Sequence, residues 1–327
     1  MYRIAVDTMG GDNGSKIVVG AIKNFLKQHN DVEIIAVGKE EELTELKDMC
    51  EIIDARDVVP MTAGALEVLR MRNSSMVKAI ALVKEGRADA VVSCGSTGGF
   101  LSASTITLKM IPGVKRAALV TGFPVRENGK YLTVLDCGAN IENSAEELVQ
   151  FALMGKLYSK ASCGIKDPKV CLLSNGAEDE KGSKEIKEAN KILRETNFPN
   201  FGGNIEAREA IMDYSVDVVV TSGLNGNVFM KTAEGTAKFI TNLLKDCFKT
   251  NILTKIGYLF SKKGVEKLKK QLDYKAIGGA LLLGVNGVVV KGHGNSDEYS
   301  FHSAMNVAYK MLKDDVVKNI KEGIINE

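Results

Sequence analysis

What most narrows the folds open to this chain is an alternation. Short continuous apolar runs rich in β-branched residues are followed by turns of glycine, asparagine and serine, and then by longer segments of helical periodicity. The runs fall at 2–6, 32–37, 51–54, 89–93, 117–121, 131–135, 169–174 and 216–221. Most are apolar without a polar alternate, the pattern of strands covered on both faces of a largely parallel sheet. Between them, 15–29 repeats Ile17, Val18, Ala21, Ile22, Phe25 and Leu26 along one helical face, and 74–85, 144–158, 183–196 and 228–249 behave likewise. The alternation predicts a doubly wound α/β fold with helices on both faces of the sheet. A helical excursion is expected near 228–272. No linker, internal repeat or low-complexity tract interrupts the pattern, so a single catalytic domain over 1–327 is expected, as one body or as two lobes sharing a sheet.

Composition removes several functions. Lys and Arg number 43 against 41 Asp and Glu, a balance that argues against a nucleic-acid binder. The six cysteines lack paired short spacing and the three histidines are scattered. No metal and no cofactor is expected, and the thiols read as reduced, buried groups. The strand-like start at Tyr2–Val6 is not a secretory signal, and no apolar run is long enough to span a bilayer. The expectation is a protein that works in the cytoplasm.

In sheets of this kind ligand loops gather at the carboxyl ends of strands, so the turns after Val6, Val92, Leu135, Leu173 and Val220 are expected along one rim. The first, Asp7-Thr8-Met9-Gly10-Gly11-Asp12-Asn13-Gly14-Ser15, opens a helix. It serves either as an anion cradle at the helix N-terminus or as a tight turn with Asp12 or Ser15 as cap. It is neither the dinucleotide fingerprint nor the nucleotide P-loop. Ser93-Cys94-Gly95-Ser96-Thr97-Gly98-Gly99 offers hydroxyls and unencumbered amides to phosphate, or a glycine turn with capping hydroxyls. No histidine follows Cys94 closely to activate it as a nucleophile. Asp136 and Asn140 either orient a ligand or belong to the helix start at Ser144, where Ser144 and Glu147 have capping-box spacing. Residues 174–183 carry Glu178, Asp179, Glu180 and Lys181: a solvated charge run, or a lysine held near developing negative charge. After Val220, Asn227 and Lys231 lie at or near a helix start. After 287–290, His293 stands between glycines with Ser296 and Asp297 beyond, approachable for proton transfer or simply structural.

Taken in order, these stretches form a recognisable set. Asp-x-Met-Gly-Gly-Asp stands at 7–12, Ser-Ser-Met at 74–76, Leu-Val-Lys-Glu-Gly-x-Ala-Asp-Ala at 82–90 and Leu-Asp-x-Gly-Ala-Asn at 135–140. Leu-Val-Gln-Phe-Ala-x-Met-Gly at 148–155, Gly-Asn-x-Glu at 203–206, Gly-Asn-Val at 226–228 and Lys-Thr-x-Glu-Gly at 231–235 follow. Gly-Val-Asn-Gly-Val-Val-Val-Lys at 284–291 and His-Gly-x-Ser-Asp at 293–297 complete the set. From Tyr2 to about Ala308 the chain closely resembles the phosphate acyltransferase family of bacterial phospholipid synthesis.

The resemblance implies a fold like that of isopropylmalate dehydrogenase and phosphate acetyltransferase. It also implies a homodimer, peripheral association with the inner face of the cell membrane, and acyl transfer from acyl carrier protein to inorganic phosphate. On that reading Asp7, Gly10, Gly11, Asp12 and Asn13, with Gly95, Ser96, Thr97 and Gly98, hold phosphate and the oxyanion. Lys181 and Lys231 assist them, Ser296 and Asp297 complete the binding set, and Asn140, Asn227 and His293 orient groups or handle protons. The chain departs from the family where Ser96 replaces the usual Asn, Ala177 a third acid and Ser222 an Asp; Asn175, Leu224 and Asn225 also differ. Loss of the two acids weakens any mechanism resting on them. An acetyl- or butyryltransferase using coenzyme A, and a degenerate homologue acting as a scaffold, are the competing expectations.

The segment 237–263 carries a second signal. Phe239, Ile240, Leu243, Leu244, Cys247 and Phe248, then Ile252, Leu253, Ile256, Leu259 and Phe260, recur among Lys238, Lys245, Lys249, Lys255, Lys262 and Lys263. Such a stripe suits a membrane interface, or an ordinary core or dimer helix. Its lysines, with Lys267, Lys269 and Lys270, also suit an acidic carrier protein.

Overall fold

The structure, a computed structural model, describes residues 1–123, 131–273 and 277–325. Its strands form one eleven-stranded sheet made of two parallel blocks. The first runs in the order β3 (Glu51–Asp54), β2 (Val32–Gly38), β1 (Tyr2–Asp7), β4 (Ala90–Ser93) and β11 (Val288–Lys291). The second is β6 (Leu132–Leu135), β9 (Val218–Val220), β7 (Val170–Leu173) and β8 (Phe201–Ile205). Between them β10 (Ala280–Leu283) and β5 (Ala118–Phe123) pair antiparallel with each other and with their neighbours. The two blocks therefore run in opposite directions.

Strand β5 divides its pairing. Ala118, Leu119 and Val120 bond to β10, and Thr121, Gly122 and Phe123 bond to β6. Leu281 pairs with both Val290 and Val120, while Lys291 pairs with Ser93, so Thr121 lies level with the carboxyl tips of the first block. The second block begins beyond that level and runs back towards it, ending at Leu135 and its partner Val220. The glycine turns thus occupy two facing rims rather than the single rim expected from the sequence. An antiparallel link in the middle of the sheet turns one block against the other.

The strands are apolar throughout because both faces are covered. Ile4 and Val6 point into the same core as Val18, Ile22 and Phe25 of α1 (Gly14–Leu26) and Phe301, Ala304 and Met305 of α10 (Glu298–Lys313). Ala5 points the other way, towards Met76 and Ile80 of α3 (Ser75–Lys84) and Phe100 and Ala103 of α4 (Thr97–Leu108). The second block repeats the arrangement. Val170, Leu172, Val218 and Val220 meet α5 (Ala145–Cys163) and α6 (Lys184–Glu195) on one face. Cys171 and Val219 meet α7 (Ala207–Met212) and α8 (Gly223–Lys249) on the other. The capping box at Ser144 and Glu147 forms at the start of α5. The expected excursion is a hairpin of α8 and α9 (Ile252–Gln271), with Phe248 edge-on to Tyr258 at 5.3 Å.

Several elements escaped the periodicity. Helix α4 is glycine- and threonine-rich at its start and apolar all round because it packs against the sheet, α3 and α2 (Ala65–Arg70). β8 carries two glycines, and β10 and β11 are four residues each, separated by a tight turn. Helix α10, which packs on α1, and α11 (Val316–Ile325) were also not read from the sequence.

The site depends on how closely α8 meets the turn after β6. A Cβ on Gly226 would collide with the Asp136 carbonyl oxygen, and one on Gly223 with that of Asn140. Alanine gains about 1 kcal/mol over glycine inside a helix, whereas overpacking against backbone costs about 1–3 kcal/mol or more. Here the clash wins. Gly226→Ala is expected to lower the urea midpoint by a net loss of about 2 kcal/mol; an unchanged or raised midpoint would show that the helix has room to shift.

Candidate active site

On the first rim one carboxylate organises the turns. Asp7 is fully buried. It accepts the Ser75 and Ser93 hydroxyls at 2.6 Å each and the amides of Met9 and Gly10 at 3.2 Å. Ser93 Oγ in turn accepts the Gly95 amide at 3.1 Å. Burial pushes the Asp7 pKa up, and these hydrogen bonds oppose the shift. The turns after β1 and β4 are in contact, since a Cβ on Gly10 would lie 2.7 Å from Gly95 N. The turn after β11 joins them: Asp12 N donates to Gly294 O at 2.7 Å and Asn13 Nδ2 to Ser296 O at 2.8 Å. Gly11, at φ +94°, lies where a side chain would meet Gly294 O.

This rim carries exposed helix-start residues and one buried lysine. Ser96 caps α4 by accepting from Gly99 N. The first-turn amides of Thr97 and Gly98 have no acceptor inside the helix, and both residues are exposed. Lys291, at the tip of β11, is buried and donates to Gly292 O. Burial lowers its pKa, while the carboxylates of Asp7 and Asp12 work the other way. Cys94 is itself buried, and its pKa is pushed up to about 11 by desolvation. A thiol held there stays protonated at neutral pH and is a poor nucleophile.

The opposite rim is organised by Asp136, also fully buried. It accepts the amides of Leu119, Gly138, Ala139 and Asn140 at 2.8–3.1 Å and Asn140 Nδ2 at 2.7 Å. Burial again raises the carboxyl pKa. Asn140 Nδ2 also donates to Ala117 O at 2.9 Å, tying this turn to the start of β5. Helix α8 starts against it, with Gly223 N donating to Asn143 Oδ1 at 3.4 Å.

Asn227, Lys231 and Glu234 follow at spacings of four and three along α8, and so share a face. Lys231 Nζ donates to Glu234 Oε2 at 2.7 Å. Glu234 Oε1 stands 3.9 Å from His293 Nε2, which comes from the first rim. The charge of Lys231 also acts on Lys291. These contacts bring the two rims within side-chain reach of each other. His29 and His302 lie elsewhere, with ring centroids 4.5 and 6.1 Å from Phe25.

The residues named from the sequence thus separate by role. Gly10, Gly11, Asp12, Asn13, Gly95, Ser96, Thr97, Gly98, Lys231 and His293 belong to the two rims and their cleft-crossing contacts. Asn227 is exposed beside them and packs over Gly138, where a Cβ would lie 3.6 Å from its own. Asp7 and Asn140 are turned into the protein as anchors. Ser296 is buried near Cys94, and Asp297 caps α10 by accepting from Ser300 N at 2.9 Å and Ser300 Oγ at 2.6 Å. Lys181 is exposed, its stem beside Gly176, and its loop leads towards a separate cavity.

That cavity, about 1080 Å³, is bounded by Ser174, Asn175, Gly182, Ser183, α7, α8 and the end of α9, and Glu234 lies in its wall. Ala177 is exposed on the same loop, and Ser222 occupies the N-cap of α8 without a side-chain cap. Glu234, Lys291, Ser75 and Ser93 were not singled out from the sequence. Each lies within a stretch quoted above, but a lysine at a strand end reads as a surface charge until its burial is seen.

The fold is similar to that of solved phosphotransacetylases. The phosphotransacetylase of Streptococcus pyogenes superposes with a TM-score of 0.62 at 20% identity, over 95% of this chain and 93% of that one. The family described as "Fatty acid synthesis protein" matches residues 2–319. "Phosphate acyltransferase" of Thermosipho melanesiensis is 40% identical over 328 residues, covering 100% of this chain and 97% of the relative. That of Halothermothrix orenii is 41% identical over 331 residues, covering 98% of each. The chain belongs to the phosphate acyltransferase family and is an acyltransferase. Among the described residues no helix is long and apolar enough to cross a membrane.

Lys291 gives the site a pH signature. Its folded pKa lies below that of an unfolded lysine, about 10.4, so the cost of burying its charge is full below the folded pKa. That cost disappears as pH rises to the unfolded value. Lys291→Met removes it. The variant's stability relative to wild type is expected to be greatest at neutral pH and to fall towards pH 10 in urea titrations; a difference independent of pH would place the ammonium in water.

Proposed function

We propose that the protein transfers a fatty acyl group from the thioester of acyl carrier protein to inorganic phosphate, yielding acyl phosphate for phospholipid synthesis. The observation that carries the reading is the cleft itself. Thr97, Gly98 and buried Lys291 lie on one rim, and from the other Glu234, paired with Lys231, comes within 3.9 Å of His293.

Phosphate is already a nucleophile and a thioester an activated acyl donor, so the protein must position them and stabilise the charge between them. In this scheme the amides of Thr97 and Gly98 and the Lys231 ammonium hold phosphate. One phosphate oxygen attacks the thioester carbonyl to form a tetrahedral oxyanion. The carbon–sulfur bond then breaks as the carbon–oxygen bond is retained, and the proton carried by hydrogen phosphate passes to the departing thiolate. His293, oriented by Glu234, is placed to relay it. The raised pKa of Cys94 supports direct attack by phosphate over an acyl-enzyme.

Incubation with acyl carrier protein thioester and phosphate is expected to give acyl phosphate, with acetyl-coenzyme A a poor donor. Removing one donor to a developing oxyanion lowers turnover by about 10²–10³. Lys231→Ala is expected to fall in that range for kcat/KM, and Lys181→Ala by much less. The reverse order would move the phosphate site to the 174–183 loop, and a preference for acetyl-coenzyme A would make the protein a short-chain enzyme.

The α8–α9 hairpin supports docking of a second copy and of a membrane surface. Ile252, Leu253, Leu259 and Phe260 are exposed, Phe260 at 88%. Lys262, Lys263, Lys267 and Lys269 are exposed nearby and suit lipid phosphates or an acidic carrier protein; the side chain of Lys270 lies outside the described residues. Phe260→Glu is expected to abolish co-sedimentation with anionic liposomes while leaving activity on soluble substrates intact. Wild-type sedimentation would remove this side chain as an anchor.

A further inference from the structure

Two of the three histidines stand away from the cleft, in the contact between α1 and α10. The two helices run parallel: Gly20 and Asn24 lie beside Glu298, Phe25 beside His302, and His29 beside Asn306. Both start at the first rim, where Asp12 N donates to Gly294 O and Asn13 Nδ2 to Ser296 O. Further along, one side-chain amide joins them. His29 Nε2 lies 2.9 Å from Asn306 Oδ1, and Asn306 Nδ2 lies 3.2 Å from His302 Nδ1.

The two ends of an amide differ, and that places the protons. The oxygen only accepts and the amine only donates, so His29 carries a proton on Nε2 and His302 keeps a lone pair on Nδ1. Neutral His302 then bears its proton on Nε2, which is buried with no hydrogen-bond partner among the described residues. A further proton on His29 Nδ1 leaves the bridge intact. One on His302 Nδ1 sets two donors against each other. Turning the amide to accept it sets the amine against the Nε2–H of His29 instead.

The charged groups nearby do not relieve this. Burial holds the His302 pKa below the usual histidine range and the charge of His29 adds to the effect, outweighing Glu298 one turn back on α10. Glu298 is already bound by Asn24 Nδ2 of α1 at 2.6 Å. Tyr309, whose ring lies 4.3 Å from that of His29, engages the others: its hydroxyl donates to Asp31 at 3.0 Å, and Lys313 lies over its ring.

We propose that Asn306 makes the α1–α10 contact an acid-sensitive latch. The bridge holds while His302 is neutral and opens when His302 takes a proton, loosening the two helices whose starts build the first rim. Because the folded pKa of His302 lies below that of an unfolded histidine, about 6.5, the unfolded chain binds this proton first as pH falls. Stability is then lost from the unfolded value down to the folded one.

Urea unfolding and amide hydrogen exchange between about pH 7.5 and about pH 5, on either side of the unfolded value, test the latch without substrate or turnover. One extra proton on the unfolded chain lowers the folding equilibrium constant by up to about tenfold per pH unit. Wild type is expected to lose up to that much more than His302→Phe, which keeps a ring beside Phe25 and cannot be protonated. Asn306→Asp offers an acceptor to both rings and is expected to flatten the profile as well. Over the same range, protection of the Asp12 amide is expected to fall in wild type and to hold in both variants. Nitrogen NMR of wild type should find neutral His302 protonated on Nε2, a reading that stands even where a variant fails to fold. Parallel stability profiles for wild type and His302→Phe would overturn the latch, as would a neutral His302 protonated on Nδ1. Loss of Asp12 protection equally in all three proteins would overturn its reach to the rim.

Discussion

Everything at the site follows from the divided pairing of β5. Its first three residues continue the sheet from β10 and its last three begin a block running the other way. Had β5 paired along its whole length with one neighbour, the second block would stand beside the first. Its carboxyl ends would then lie at the far edge. The half-strand offset instead brings Asp136, Gly223 and α8 opposite Asp7, Gly95 and His293. Loops after parallel strands are where α/β proteins bind ligands; this chain places two such sets face to face.

Each set is built on the same device. Asp7 accepts the amides two and three residues ahead, at Met9 and Gly10, and Asp136 does so at Gly138 and Ala139. Each then reaches a neighbouring segment: Asp7 the hydroxyls of Ser75 and Ser93, and Asp136 the amide of Leu119. Removing one partner of a buried hydrogen-bonded network leaves groups whose desolvation costs about 1–3 kcal/mol each. The two carboxylates therefore fix turn geometry before any ligand arrives. Pre-set donors are what charge stabilisation in a transition state requires, because nothing has to reorganise when the charge appears.

The sequence made the strands, the main helices and the turns legible, because buried parallel strands and glycine-rich helix starts leave local patterns. It did not reveal that the turns lie on two rims, since the reversal rests on which half of β5 pairs with which neighbour. Asp7 and Asn140 read from the sequence as ligand groups; what the sequence does not show is that each is held by hydrogen bonds inside its own rim. Lys291 was passed over as a strand-end lysine although 6% of it is exposed. The cavity beside the rims is not legible as a unit, because its walls come from β5, β7, α6, α7, α8 and α9, which meet only in the folded chain.

The most direct measurement is a crystal structure of the protein soaked with orthophosphate at saturating concentration. One phosphate is expected between the rims, within hydrogen-bonding reach of the Thr97 and Gly98 amides and of Lys231 Nζ, and adjacent to Glu234. Phosphate bound instead around Lys181 and Asn175, with the space between Thr97 and Lys231 holding only water, would contradict it.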